Sequence, residues 1–415
     1  MALLRKPQNI QTIYLFLVLG NTLAASFIWG INTIFLLDAG LSNFQAFLAN
    51  AFFTAGEVLF EVPTGIIADT WGRRVSYLLG CITLGVSTLL YLWMWKIHGP
   101  FWGWAASSVL LGLGFTFFSG ALEAWLVDAL HATGFKGNLD SVFAKGQSVG
   151  GAAMLTGSIA GGLIAQYTSL GIPYILRALV LFLNFGTAFF LMKDLGFEHK
   201  RMGKPVAQMK KIFASSIENG LKNPPVRWVM LAAPFTAGVS FYVFYALQPF
   251  LLQLYGNEKA YGIAGLVAAI AATAQIIGGL LAPRIRGLFH TRTTALLVGT
   301  FVASVALLLV SIVTNFWIAL LLIFLWGLTF AALSPIRQAY LNGLIPSAQR
   351  ATVLSFDSMI GSSGGIVIQP ILGKAADIWS YPISYMGAAL FQIVALPFIY
   401  LAKREKVTAD KIEKS

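Results

Sequence analysis

The chain has 415 residues, of which 57% are hydrophobic and 11% charged, with a mean hydropathy of +0.76. A soluble protein carries about 25% charged residues, so a water-soluble globular fold is excluded and a polytopic, all-α membrane protein is expected. The net charge of +12 does not point to nucleic acid, because the basic residues fall in the loops of one side.

A membrane span needs about 20 apolar residues. Twelve such runs can be read: 11–37, 43–68, 75–95, 101–127, 141–168, 172–193, 226–254, 261–283, 292–313, 316–339, 351–376 and 381–402. Arg5 and Lys6 precede the first run as in a signal peptide. That run continues to Leu37, too long for a signal core, so a retained span is expected. The single cysteine, Cys81, lies inside an apolar run, and His98, His131, His199 and His290 are scattered. This leaves no disulfide framework and no spacing suited to a metal.

The connections are short except for residues 194–225, which separate a six-span bundle (1–193) from a second bundle with a tail (226–415). In this linker Val206, Met209, Ile212, Phe213, Ile217 and Leu221 share one helical face, with Lys210, Lys211 and Lys222 away from it. An interfacial helix on the cytoplasmic leaflet is expected there. With the N-terminus inside, all of the 28 lysines and arginines except Lys96, Arg177, Lys259 and Lys374 fall on the cytoplasmic side. Both termini are therefore expected inside.

The loop between the second and third spans reads Gly65-Ile-Ile-Ala-Asp69-Thr-Trp-Gly72-Arg73-Arg74. So short a turn, with one acid and two arginines, must lie at a membrane surface. It resembles the loop signature of the major facilitator superfamily, with Thr70 in place of the usual basic residue. The resemblance implies two pseudo-symmetric six-helix bundles, a substrate site between them and alternating access. It also implies that Asp69 faces the start of the eleventh span and that Arg73 pairs with an acid at the inner end of the fourth, where Asp128 stands. Gly65, Asp69, Gly72, Arg73, Arg74 and Asp128 would then latch the cytoplasmic side.

The halves repeat one another. Glu123-Ala-Trp-Leu-Val-Asp128 parallels Arg337-Gln-Ala-Tyr-Leu-Asn342, and Ser148-Val-Gly-Gly151 parallels Ser362-Ser-Gly-Gly365. On this alignment Glu123 and Arg337 are expected to face each other as a gate, the alternative being that each pairs within its own half. A second loop copy, from Gly279 to Arg286, has lost its acid.

Ionisable groups within spans are costly and mark function. Glu57 and Glu61 share a helix face, and two acids so placed do not both ionise easily. Glu57, Glu61, Glu123 and Asp357 are thus the candidates to carry a coupling proton. Arg177 could hold an anionic solute or neutralise Glu57. Trp29, Phe115, Phe118, Trp125, Phe241, Tyr242, Tyr245 and Trp326 are candidate cavity aromatics. In a membrane such side chains more often face lipid or pack as core.

Gly157-Ser158-x-x-Gly161-Gly162 resembles the drug–proton antiporter motif, with Ser158 replacing its proline. The antiporter arginine of the fourth span is missing from residues 105–122. No catalytic, metal or phosphate-cradling constellation is present, so neither an enzyme nor a cofactor is expected, only a proton as coupling ion. The expected function is proton-coupled export of a small organic solute by a monomer in the plasma membrane. Uptake of a nutrient or anion, or a membrane sensor that does not transport, are the alternatives.

Overall fold

A computed structural model describes residues 6–197, 214, 217–347 and 349–412. These residues are helical almost throughout and form no β-strand. In chain order the helices are α1 (Pro7–Trp29), α2 (Asn32–Asp38), α3 (Asn43–Trp71), α4 (Arg73–Lys96), α5 (Phe101–Thr116), α6 (Ala121–Ala132), α7 (Leu139–Tyr167), α8 (Gly171–Leu191), α9 (Pro224–Tyr255), α10 (Tyr261–Gly287), α11 (Arg292–Val310), α12 (Phe316–Asn342), α13 (Arg350–Ile378), α14 (Tyr381–Ile393) and α15 (Ala395–Arg404).

Counting α5–α6 and α14–α15 each as one, eleven of them are long and apolar enough to cross a membrane. The twelfth expected span, α13, has the length, 29 residues. It falls short on apolarity because it carries serines, glycines, Gln369, Asp357, Lys374 and Asp377. The expected first span, 11–37, is broken at Gly30–Ile31. The fourth is broken at residues 117–120, where Gly120 adopts φ +66°, a conformation that favours glycine.

Local chemistry sets the helix ends. Pro7 and Pro224 stand in the first turns of α1 and α9, where the missing N–H costs nothing. The side chains of Asn138, Thr291, Asn315 and Ser380 accept backbone N–H groups that would otherwise be unpaired. The interfacial helix expected over 194–225 rests largely on Val206, Met209, Ile212 and Phe213, which lie outside the described residues. Ile217–Leu221 is a single turn of π-helix.

The chain forms two packed units. The first contains Met1–Gly40, Phe52–Pro205 and Lys259–Ala269; the second contains Leu41–Ala51, Val206–Glu258 and Ile270–Ser415. Each unit repeats the same pairings. In the first, α1 packs on α7 and α8, and α4 on α5 and α8. In the second, α9 packs on α13 and α15, and α11 on α12 and α14.

The closest approaches repeat too. A methyl group at Gly161 of α7 would lie 1.9 Å from the Phe27 carbonyl oxygen of α1. At Gly364 of α13 it would lie 1.9 Å from the Pro234 carbonyl oxygen of α9. Without a hydrophobic drive between helices in lipid, such small-residue contacts hold the bundle together.

Candidate functional site

The first unit holds a cavity of about 330 Å³ at the break between α5 and α6. Glu57 and Glu61 reach it from α3 and Glu123 from the first turn of α6, with Phe115, Phe118 and Ser119 completing the wall. The left-handed turn at Gly120 starts α6 and so sets Glu123 beside the other two acids. A carboxylate is favoured near a helix N-terminus. Ser119 donates its hydroxyl to Glu61 Oε1 at 2.8 Å. Among the described residues no basic side chain lines this cavity.

The second unit holds a cavity of about 440 Å³ between α9, α11, α12, α13, α14 and α15. Arg337 and Asp357 form part of its wall, joined by two parallel hydrogen bonds. Arg337 Nη1 donates to Asp357 Oδ2 at 2.7 Å and Nη2 to Oδ1 at 2.6 Å. Nη2 also reaches the Val229 carbonyl oxygen at 3.4 Å. Asp357 is 6% exposed. Thus Arg337 is held by an acid of its own half, the alternative to a gate with Glu123. Phe241, Phe330 and Gln392 also line the cavity, and Gln392 accepts the Trp326 indole N–H at 3.1 Å.

The loop signature is organised within the first unit. Arg73 Nη1 pairs with Asp69 Oδ1 at 2.6 Å. The expected bond from Arg73 to Asp128 is not formed among the described residues. Asp128 stands near the end of α6, and its carbonyl oxygen lies against Gly196. The acid that the loop meets instead is Asp194, just after α8. Its Oδ1 accepts the Arg74 backbone N–H at 2.9 Å. Its Oδ2 would lie 2.5 Å from a methyl group at Gly72, whose φ is +110°. Gly72 is required on both counts, whereas a methyl group at Gly65 would meet nothing. Arg74 donates to the Phe189 carbonyl oxygen at 2.5 Å and lies over the Phe189 ring.

The other expected residues divide. Arg177 is buried, donates from Nε to Thr88 Oγ1 at 3.1 Å and lies over Phe115, a wall of the acid cavity. Phe118 lines that cavity and packs on Tyr77. Trp29 is half-buried at the end of α1, and Tyr245 is half-buried against Phe244. Two expectations are corrected. Tyr242 is fully buried, bonded to Ser384 and packed on Phe47 and Tyr385, so it is core. Trp125 is likewise core, donating to the Lys193 carbonyl oxygen at 2.7 Å.

Sequence reasoning overlooked Asp377. Its two carboxylate oxygens accept the backbone N–H groups of Asn43 and Phe44, the first residues of α3, at 2.8 and 2.9 Å. Tyr381 donates to the Asn43 side chain. All four residues belong to the second unit. An acid in the last turn of an apolar helix is disfavoured by that helix's own dipole, and this was the signal that it has a partner elsewhere.

The apolar helices describe a polytopic membrane protein with charged cavities. The chain matches the family description "Major Facilitator Superfamily" over residues 14–367 and, in a second match, 261–415. It belongs to that superfamily, and its family makes it a transporter rather than an enzyme. It is 26% identical over 336 residues to the multidrug resistance protein MdtG of Salmonella arizonae, covering 80% of this chain and 77% of that one. It is 23% identical over 394 residues to the MFS-type transporter YxaM of Bacillus subtilis, covering 92% of each. Among solved structures it resembles the nucleoside transporter NupG, with a TM-score of 0.77 at 10% identity over 95% of this chain and 99% of that one. It also resembles a bacterial homologue of the human lysosomal transporter Spinster, with a TM-score of 0.75 at 15% identity over 98% and 99%. These two likenesses concern the fold.

Proposed function

We propose that this chain exports small amphipathic organic solutes from the cytoplasm in exchange for protons. The observation that carries the reading is the cavity lined by Glu57, Glu61 and Glu123, with no basic side chain in its wall among the described residues. Three carboxylates lining one cavity repel one another, and the repulsion is relieved by a proton or by the positive end of a solute. The two occupants therefore compete, which is the requirement for exchange. Phe115 and Phe118 supply apolar contact for the rest of such a molecule, and a cation is also attracted to an aromatic face. The similarity to a multidrug resistance protein supports export. The one-sided distribution of lysine and arginine supports a plasma membrane protein with both termini in the cytoplasm. A monomer that needs no cofactor completes the proposal.

The test uses inside-out membrane vesicles carrying an acid-inside gradient. Amphipathic cations, neutral solutes and anions are added in turn, and collapse of the gradient is followed. A cation that discharges the gradient with the wild-type chain, but not with Glu123→Gln, agrees with the proposal. A solute that accumulates without moving the gradient removes proton exchange.

A second reading rests on the Arg337–Asp357 cavity. A proton on Asp357 would release Arg337 to hold an anionic solute, and the transport would then be uptake. Anion-driven movement of protons in the same direction as the solute would favour this reading over export.

A further inference from the structure

The tail that follows α15 is built into the second unit. The chain turns at Lys406, one of two non-glycine residues with positive φ among those described. Val407 packs into the cluster formed by Val229, Tyr340, Val353 and Phe356. A short 3-10 turn, Thr408–Asp410, follows.

Asp410 is 4% exposed. Its Oδ1 accepts the Thr293 backbone N–H at 2.7 Å, and its Oδ2 accepts the Thr293 hydroxyl at 2.6 Å. A carboxylate here also meets the positive end of α11. Arg292 Nη1 donates to the carbonyl oxygens of Ala409 and Lys411 at 2.5 and 2.7 Å. The Ile412 N–H donates to the His290 carbonyl oxygen at 3.0 Å. At the other end, Glu405 Oε1 accepts the Trp228 indole N–H at 3.0 Å. Eight residues thus fasten the starts of α9 and α11, and Ala409 closes on Gly343 just past the end of α12.

The same cluster carries the Arg337–Asp357 pair. Val229 offers its carbonyl oxygen to Arg337. Phe356 precedes Asp357 on α13, and Tyr340 lies one turn from Arg337 on α12. We propose that residues 405–412 are a strap, anchored by Asp410 on Thr293, that positions the helices around the Arg337–Asp357 cavity and holds that cavity closed. Asp410 is a positioning residue, since it touches Thr293 and not the ion pair. The inference does not rest on proton export and holds for any solute.

The test is cysteine labelling by a membrane-permeant maleimide in a Cys81→Ser background, which removes the lone thiol. Thr300→Cys reports on the second cavity: Thr300 is a buried wall residue of α11, the helix the strap holds. Thr116→Cys, a buried wall residue of the acid cavity, is the control. Asp410→Asn should speed labelling at Thr300→Cys about tenfold, the change expected from losing one charge-assisted hydrogen bond, and truncation after Arg404, which removes every contact of the strap, should speed it more. Thr116→Cys should label at an unchanged rate. Thr293→Ser keeps both groups that Asp410 uses and should label as the parent does, while Thr293→Val should follow Asp410→Asn. Unchanged labelling at Thr300→Cys in the folded Asp410→Asn chain overturns the proposal. So does equal acceleration at Thr116→Cys, because the tail would then serve overall stability only.

Discussion

Replacing Asp357 by alanine removes one partner of the best-formed ion pair in the second unit. Two charge-assisted hydrogen bonds of 2.6 and 2.7 Å are lost, and Arg337 is left without its carboxylate. Removing one member of a buried pair costs about 3–5 kcal/mol. The Arg337 side chain is 25% exposed, so water repays part of this and the expected loss is about 2–3 kcal/mol. At about 2–4 °C per kcal/mol for a unit of this size, the purified protein should melt roughly 5–10 °C lower. The assay is thermal unfolding in detergent of Asp357→Ala, Arg337→Met and the double variant. The double variant should recover most of the loss, because no uncompensated charge remains, giving a coupling of about 2 kcal/mol in the cycle. Additive losses, with no coupling, would refute the assignment of these residues as partners.

Asp377→Ala should free the first turn of α3, raising amide hydrogen exchange at Asn43 and Phe44 about tenfold, the loss of a charged cap. Equal exchange in both chains would show that the contact holds nothing. Gly161→Leu and Gly364→Leu should each abolish accumulation of folded protein, since even a methyl group would meet a carbonyl oxygen at 1.9 Å, well beyond the ordinary overpacking cost of about 1–3 kcal/mol. Normal yield in size-exclusion profiles would contradict this. Asp194→Ala should cost about 1 kcal/mol through loss of the cap on α4, read as a melting shift smaller than that of Asp357→Ala.

Much of the architecture was legible because the bilayer imposes it. Apolar runs give the spans, and the glycines that permit close approach stand in the corresponding spans α7 and α13, at different depths along them. The helix breaks were not legible. Residues 117–120 read as uninterrupted apolar chain, and only the turn at Gly120 brings Glu123 to Glu57 and Glu61. Partner choice was legible only in part. The repeat put Glu123 and Arg337 at equivalent positions, but equivalence in sequence does not fix which acid a guanidinium meets. Asp357 lies on the neighbouring helix α13 and takes both terminal nitrogens of Arg337. The loop motif likewise pointed to Asp128, whereas Asp194 meets the turn, because the chain after α8 folds back beneath Gly72. Asp410 was not singled out from the sequence, and only the fold brings it to Thr293.

The central claim is that solute and proton compete for the Glu57–Glu61–Glu123 cavity. The most direct measurement is proton release from purified protein in unbuffered solution, followed with a pH indicator as an amphipathic cation is added. The account predicts release on binding, reduced or abolished in at least one of Glu57→Gln, Glu61→Gln and Glu123→Gln. Saturable binding of the solute with no proton released, or release unchanged in all three variants, would contradict it.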